Sequence, residues 1–165
     1  MKISTRTEYG VRVLVTLARV GVDDACLSLT EIAKREKLPH AYLEQLVGDL
    51  RRAGLVTATR GQSGGYRLAR SATDIAMTDA IRALERPLLE MPCAGVEDLE
   101  HCDRPQPCSV HEIFQRVYES LSSTLGATNL AEVAATAGGP PYPPEVRRRR
   151  ATRHSAIPDQ EARNA

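Results

Sequence analysis

The sequence predicts a mainly α-helical protein: a winged helix-turn-helix head followed by one long amphipathic helix. Three observations carry that reading. Two short segments with apolar helical spacing, 28–36 and 40–53, are separated only by Lys37, Leu38 and Pro39. A glycine-rich hairpin pattern, LVTATRGQSGGYRLA, follows at once. From 109 to 126, apolar residues recur with the cleanest helical period in the chain.

The first helix is expected over 5–20, where Tyr9, Val13, Leu14, Leu17 and Ala18 share a face that Val11 and Val15 widen. Thr5 and Glu8 match a capping box that would start it. GVDDA at 21–25 reads as a loop, and Cys26 after it as a small buried residue. Ser28 and Glu31 repeat the capping-box pattern ahead of LTEIAKRE. Pro39 suits the first position of the next helix, which places Leu43, Leu46, Val47 and Leu50 at i, i+3, i+4 and i+7. Gly54 ends it. The free face of that helix carries His40, Ala41, Tyr42, Glu44, Gln45, Asp49, Arg51 and Arg52.

Residues 55–59 and 66–68 form the hairpin, with Arg60 and Arg67 among small residues that let a phosphate backbone or minor groove approach. Residues 75–86 suggest a brief strand, then a helix with Ala80, Ile81 and Leu84 inward, stopped by Pro87. The long helix carries Val110, Ile113, Phe114, Val117, Tyr118, Leu121 and Leu125. Its four-three spacing fits either the chain's own core or a second copy, and the small head favours the copy. NLAEVAA at 129–135 has the pattern for one or two further helical turns. The domains expected are 1–88, the DNA-binding head; 89–108, a cysteine-rich loop; 109–136, a dimerisation helix; and 137–165, a disordered tail.

Charge is uneven along the chain. Residues 1–70 hold twelve Lys and Arg against seven Asp and Glu, whereas 71–136 hold four against eleven. A basic head beside an acidic body fits a head that meets a polyanion, here double-stranded DNA. The chain has no long apolar run and no apolar signal peptide, so no membrane partner and a cytoplasmic location are expected. No arrangement of nucleophile, base and pocket suggests an enzyme.

Between head and long helix lies CAGVEDLEHCDRPQPCSVH, with Cys93, Cys102, Cys108 and then His111. In a reducing compartment such a cluster points to metal ligands or redox thiols rather than to structural disulfides. Three thiolates and an imidazole satisfy a four-ligand site, and thiolates suit iron–sulfur clusters and zinc alike. A zinc-stabilised DNA-binding protein without cluster sensing is therefore the alternative.

AYLEQLVGDLRRAGLVTATRGQSGGYRLA closely resembles the reading helix and wing of the Rrf2 family of bacterial transcription regulators. The opening MKIST–EYGVRVL and the three-cysteine loop match in the same order, so the resemblance spans about 1–135. Members with three loop cysteines, the IscR, NsrR and RirA group, are iron–sulfur sensors. The resemblance implies a homodimer on a palindromic operator, a repressor of cluster-assembly, iron or redox and nitrosative stress genes. It implies that Tyr42, Glu44 and Gln45 face the major groove and that Arg60 sits in the wing; His40 and Arg51, on the free face of the same helix, are DNA-binding candidates by position. Ala41 stands where IscR has a serine against DNA, so the IscR operator sequence is not carried over. His111 occupies the place of the IscR histidine ligand, which favours a 2Fe–2S cluster. Glu8 stands where NsrR-like members supply a carboxylate from the partner subunit, which keeps a 4Fe–4S cluster open. The capping box and a ligand role would compete for Glu8.

Overall fold

The structure, a computed structural model, describes residues 4–20, 26–61, 64–85 and 108–136. Cys93, Cys102, Pro87, the GVDDA loop and the 137–165 tail lie outside the described residues. The elements in order are α1 (Thr5–Val20), α2 (Leu29–Glu36), α3 (His40–Arg52), β1 (Val56–Thr59), β2 (Gly65–Leu68), a short 3-10 turn (Ala72–Asp74), α4 (Met77–Leu84), α5 (Ser109–Ala127) and α6 (Leu130–Thr136). The winged helix-turn-helix head and the long helix after it are as the sequence predicts. No helix among the described residues is long and apolar enough to cross a membrane.

One apolar core joins α1, α2, α3, the hairpin and α4. Val13, Leu14, Leu17, Leu27, Ile32, Leu43, Leu46, Val47 and Leu50 are all buried in it. Each of the apolar positions expected of α3 is therefore inward. The turn between α2 and α3 is made by Lys37, whose left-handed backbone (φ 55) caps α2. Pro39 stands one place earlier than expected: it is the residue before the first turn of α3, not within it. The end of α3 is a complete Schellman closure. Gly54 N–H donates to Arg51 O at 3.0 Å and Leu55 N–H to Leu50 O at 2.9 Å, with Gly54 at φ +71.

β1 and β2 pair antiparallel, Val56 with Leu68 through Thr59 with Gly65. Leu27 adds one bridge to the outer strand, exchanging hydrogen bonds of 2.9 and 2.8 Å with Tyr66. That pairing explains Gly65, since a Cβ there would sit 2.5 Å from the Leu27 carbonyl oxygen. Cys26 beside it is half-buried rather than buried as expected, its Sγ 3.5 Å from Thr59 Oγ1.

Three local readings need correction. Ser4, not Thr5, caps α1: Thr7 N–H donates to Ser4 Oγ at 3.2 Å and Glu8 N–H to Ser4 O at 3.1 Å. The carboxylate that completes this cap comes from Glu85 at the end of α4, which accepts from Ser4 N–H at 2.7 Å. Residues 75–77 form no strand; Ile75 is a core residue and Ala76 makes one isolated bridge to Asn129. Finally, the 109–136 segment is two helices, because the chain turns at Thr128 and Asn129.

That turn is tightly fixed. Met77 N–H donates to Thr128 O and Leu130 N–H to Ile75 O, both at 2.9 Å. Asn129 caps α6, accepting from Glu132 N–H at 3.0 Å. Leu130 is fully buried in the core of the head, and α6 returns along α1 with Val133 packed on the same core.

Candidate nucleic-acid interface and cysteine site

The core-facing stripe of α3 leaves His40, Ala41, Glu44, Gln45, Arg51 and Arg52 exposed on its other side. His40 Nδ1 lies 3.5 Å from Glu44 Oε1, one helical turn along. Tyr42 is half-buried, its ring edge-on to Tyr9 at a centroid separation of 6.1 Å. Arg12 stands over Tyr9, 5.4 Å from the ring centroid, and bonds Glu36 at the end of α2 at 2.9 Å. This chain of contacts fixes the start of α3 against α1 and α2. The helix whose polar face is open is thus rigidly seated.

A shallow depression runs along this face, lined by Arg6, Glu44, Gln45, Gly48, Asp49 and Arg52. Arg6 comes from the first turn of α1, and both it and Arg52 form ion pairs with Asp49. Spacing along α3 could have revealed the Asp49–Arg52 pair at i, i+3. The participation of Arg6 follows only from packing α1 on α3.

Arg60 is exposed immediately after β1, at the wing turn that Gly61 (φ +117) and the Gly64 N–H bond to Gly61 O at 2.8 Å close. Arg67 is not at the tip: it pairs across from Thr57 within the hairpin and is partly buried.

At the other candidate site, Cys108 is the N-cap residue of α5 and His111 lies in the first turn three residues on. Both are half-buried. Glu8 is 62% exposed, with Arg12 Nη1 3.8 Å away, and has no part in capping α1. The competition expected for its carboxylate therefore does not arise. Among the described residues, no three of His, Cys, Asp and Glu converge as a metal site.

Beyond Cys108, the next turns of α5 present Val110, Ile113, Phe114 and Val117 with exposures of 37% to 51%. Nearer the far end Leu125 packs on the chain's own core. The apolar stripe therefore splits: its last turns belong to the head, and its first turns have no cover from the described residues of this chain.

A family of transcriptional regulators described as iron-dependent, Rrf2, matches residues 3–136. Protein rrf2 of Nitratidesulfovibrio vulgaris is 35% identical over 133 residues, spanning 81% of this chain and 87% of that protein. Among solved structures, CymR, the global cysteine regulator of B. subtilis, superposes with a TM-score of 0.67 at 36% identity, covering 82% of this chain and 97% of that one. The IscR of T. potens gives a TM-score of 0.66 at 34% identity, covering 82% and 87%. These relatives are regulators, not enzymes.

Proposed function

The chain belongs to the Rrf2 family of transcriptional regulators, and from that premise we propose that it is a cytoplasmic, homodimeric repressor whose grip on DNA depends on an iron–sulfur cluster. One observation carries the reading. Cys108 and His111 occupy the first turn of the helix whose next turns expose the apolar stripe. A metal-responsive loop would then be rooted at the dimer contact.

In this reading α3 enters the major groove, with His40, Glu44, Gln45 and Arg51 turned to the bases and strands, and Arg60 reaches outward from the wing. A two-fold dimer matches a palindromic operator. Cys93, Cys102 and Cys108 would hold the cluster, with His111 or a partner's Glu8 as fourth ligand. The half-buried Cys108 and His111, and the largely exposed Glu8 carboxylate, suit that donor set. When bound, such a group supplies a centre that oxidation or loss can alter.

The chain's own residues would carry the change to DNA. A shift of Cys108 moves the start of α5, while Thr128 and Leu130 tie its end by main-chain bonds to Ile75 and Met77 in the head. Reorienting α5 against its copy then reorients both heads. Switching requires that the two states differ in DNA affinity.

The test is operator binding by anaerobically purified protein, before and after cluster removal, at one salt concentration. Unequal affinities with a brown or reddish protein support the reading. Equal affinities, or a colourless protein holding stoichiometric zinc, overturn it in favour of a zinc-stabilised DNA-binding protein. His111→Ala and Glu8→Ala, compared by visible absorption, identify the fourth ligand.

A further inference from the structure

Arg6, in the first turn of α1, and Arg52, at the end of α3, meet on one carboxylate. The Asp49 side chain is 14% exposed, against 38% for Arg6 and 76% for Arg52. The acid therefore lies beneath and the guanidiniums lie outward. Two guanidiniums and one carboxylate leave a single positive charge. Each guanidinium carries five donors, so both retain donors for a further acceptor.

Gly48 lies beside them in the middle of α3, where glycine is unfavourable. A Cβ at Gly48 would meet nothing within 4 Å, so no neighbour among the described residues requires a glycine there. The missing side chain leaves room in the depression that Arg6, Glu44, Gln45, Asp49 and Arg52 also line.

We propose that this notch seats one backbone phosphate of duplex DNA, with Arg6 and Arg52 as donors and Asp49 holding them in place. The inference rests on α3 being the groove-reading helix and adds the contact that sets its depth and tilt. Helical rise places Arg52 roughly 10–12 Å along the axis from Gln45 and Glu44. The major groove is about 12 Å wide, so a helix with Gln45 at the bases brings its far end to the groove wall, where phosphates lie. The Arg6–Asp49–Arg52 triad carries one net positive charge, enough for one phosphodiester, and Glu44 in the lining of the same depression brings the whole to neutrality. A contact of this kind positions the protein without reading sequence.

The experiment measures affinity of the full chain for two duplexes across a salt series. One duplex is enriched from a random pool by the wild-type protein, and the other is its scrambled equivalent. For the double variant Arg6→Gln/Arg52→Gln, affinity should fall by the same factor on both duplexes. The slope of log K against log salt should become shallower by about 1.8 for the bound dimer, the contribution of one phosphate at each of its two heads. Gly48→Met fills the notch without adding charge or breaking either ion pair. It should reproduce the shallower slope with a melting temperature no lower than wild type. Unchanged slopes in both variants overturn the seat, as does a loss confined to the enriched duplex. If the wild-type protein enriches no duplex from the pool, the groove-reading assignment of α3 falls and the seat with it. A Gln45→Ala variant that loses only the preference between duplexes, at unchanged slope, separates base reading from the phosphate contact.

Discussion

The carboxylate of Glu85 performs, from 81 residues away, the task that sequence spacing assigns to Glu8. The Ser4 hydroxyl first, with smaller contributions from Thr7 and the Ser4 N–H, holds its pKa below the ordinary glutamate range against the opposing effect of burial. A carboxylate whose folded pKa is depressed contributes stability that is fully present above its unfolded pKa. That contribution disappears as pH falls through the folded value. Glu85→Gln should therefore lower the melting temperature at neutral pH and flatten its fall on acidification. Thermal scans from pH 7 down to pH 3 check this; parallel curves for the two proteins would refute it. Sequence spacing did find the cap of α2, where Ser28 and Glu31 bond reciprocally at 3.2 and 2.8 Å. It misplaced that of α1 because the completing acid belongs to another helix. The same limit hid Arg6 from the candidate interface, while Glu44 and Gln45 on α3 were legible from the apolar period alone.

Helix α5 shows how far a periodic pattern can be read at the scale of one element. Its span was evident, but a single apolar stripe covers two different jobs. Leu125 packs inward on the head, while Val110, Ile113, Phe114 and Val117 stay exposed. Hydrophobic spacing reports that a face is covered and does not report by what. If the exposed half is the dimer seam, a charge placed there must be desolvated on association, at a cost well above any single apolar contact. Val117→Glu should yield a folded monomer at concentrations where the wild type is a dimer, as measured by sedimentation velocity together with circular dichroism. A variant that remains dimeric would place the seam elsewhere. The loop before α5 is a different case: donor residues and their spacing identify it as a metal candidate, but spacing leaves the fourth ligand open.

At the scale of the whole molecule, the described chain closes on itself through α6. Leu130 is fully buried against a core built mainly from residues before 85, so the end of α5 is part of the head's folding unit. Leu130→Ala should cost about 2–5 kcal/mol. Chemical denaturation should show one earlier transition for the entire chain, not a separate melting of α6. Two transitions would mean that α6 is an appendage. The sequence suggested one or two further turns at 129–135 but not their return to α1, since the closing bonds are Met77 N–H to Thr128 O and Leu130 N–H to Ile75 O. Those donors and acceptors belong to the main chain, which every residue except proline supplies in full. The joint between head and long helix is thus written in no side-chain code. Related chains can diverge at these positions and keep the same linkage, so it will leave no trace in a comparison of residue identities. Proline at 77 or 130 is the change that would cut it.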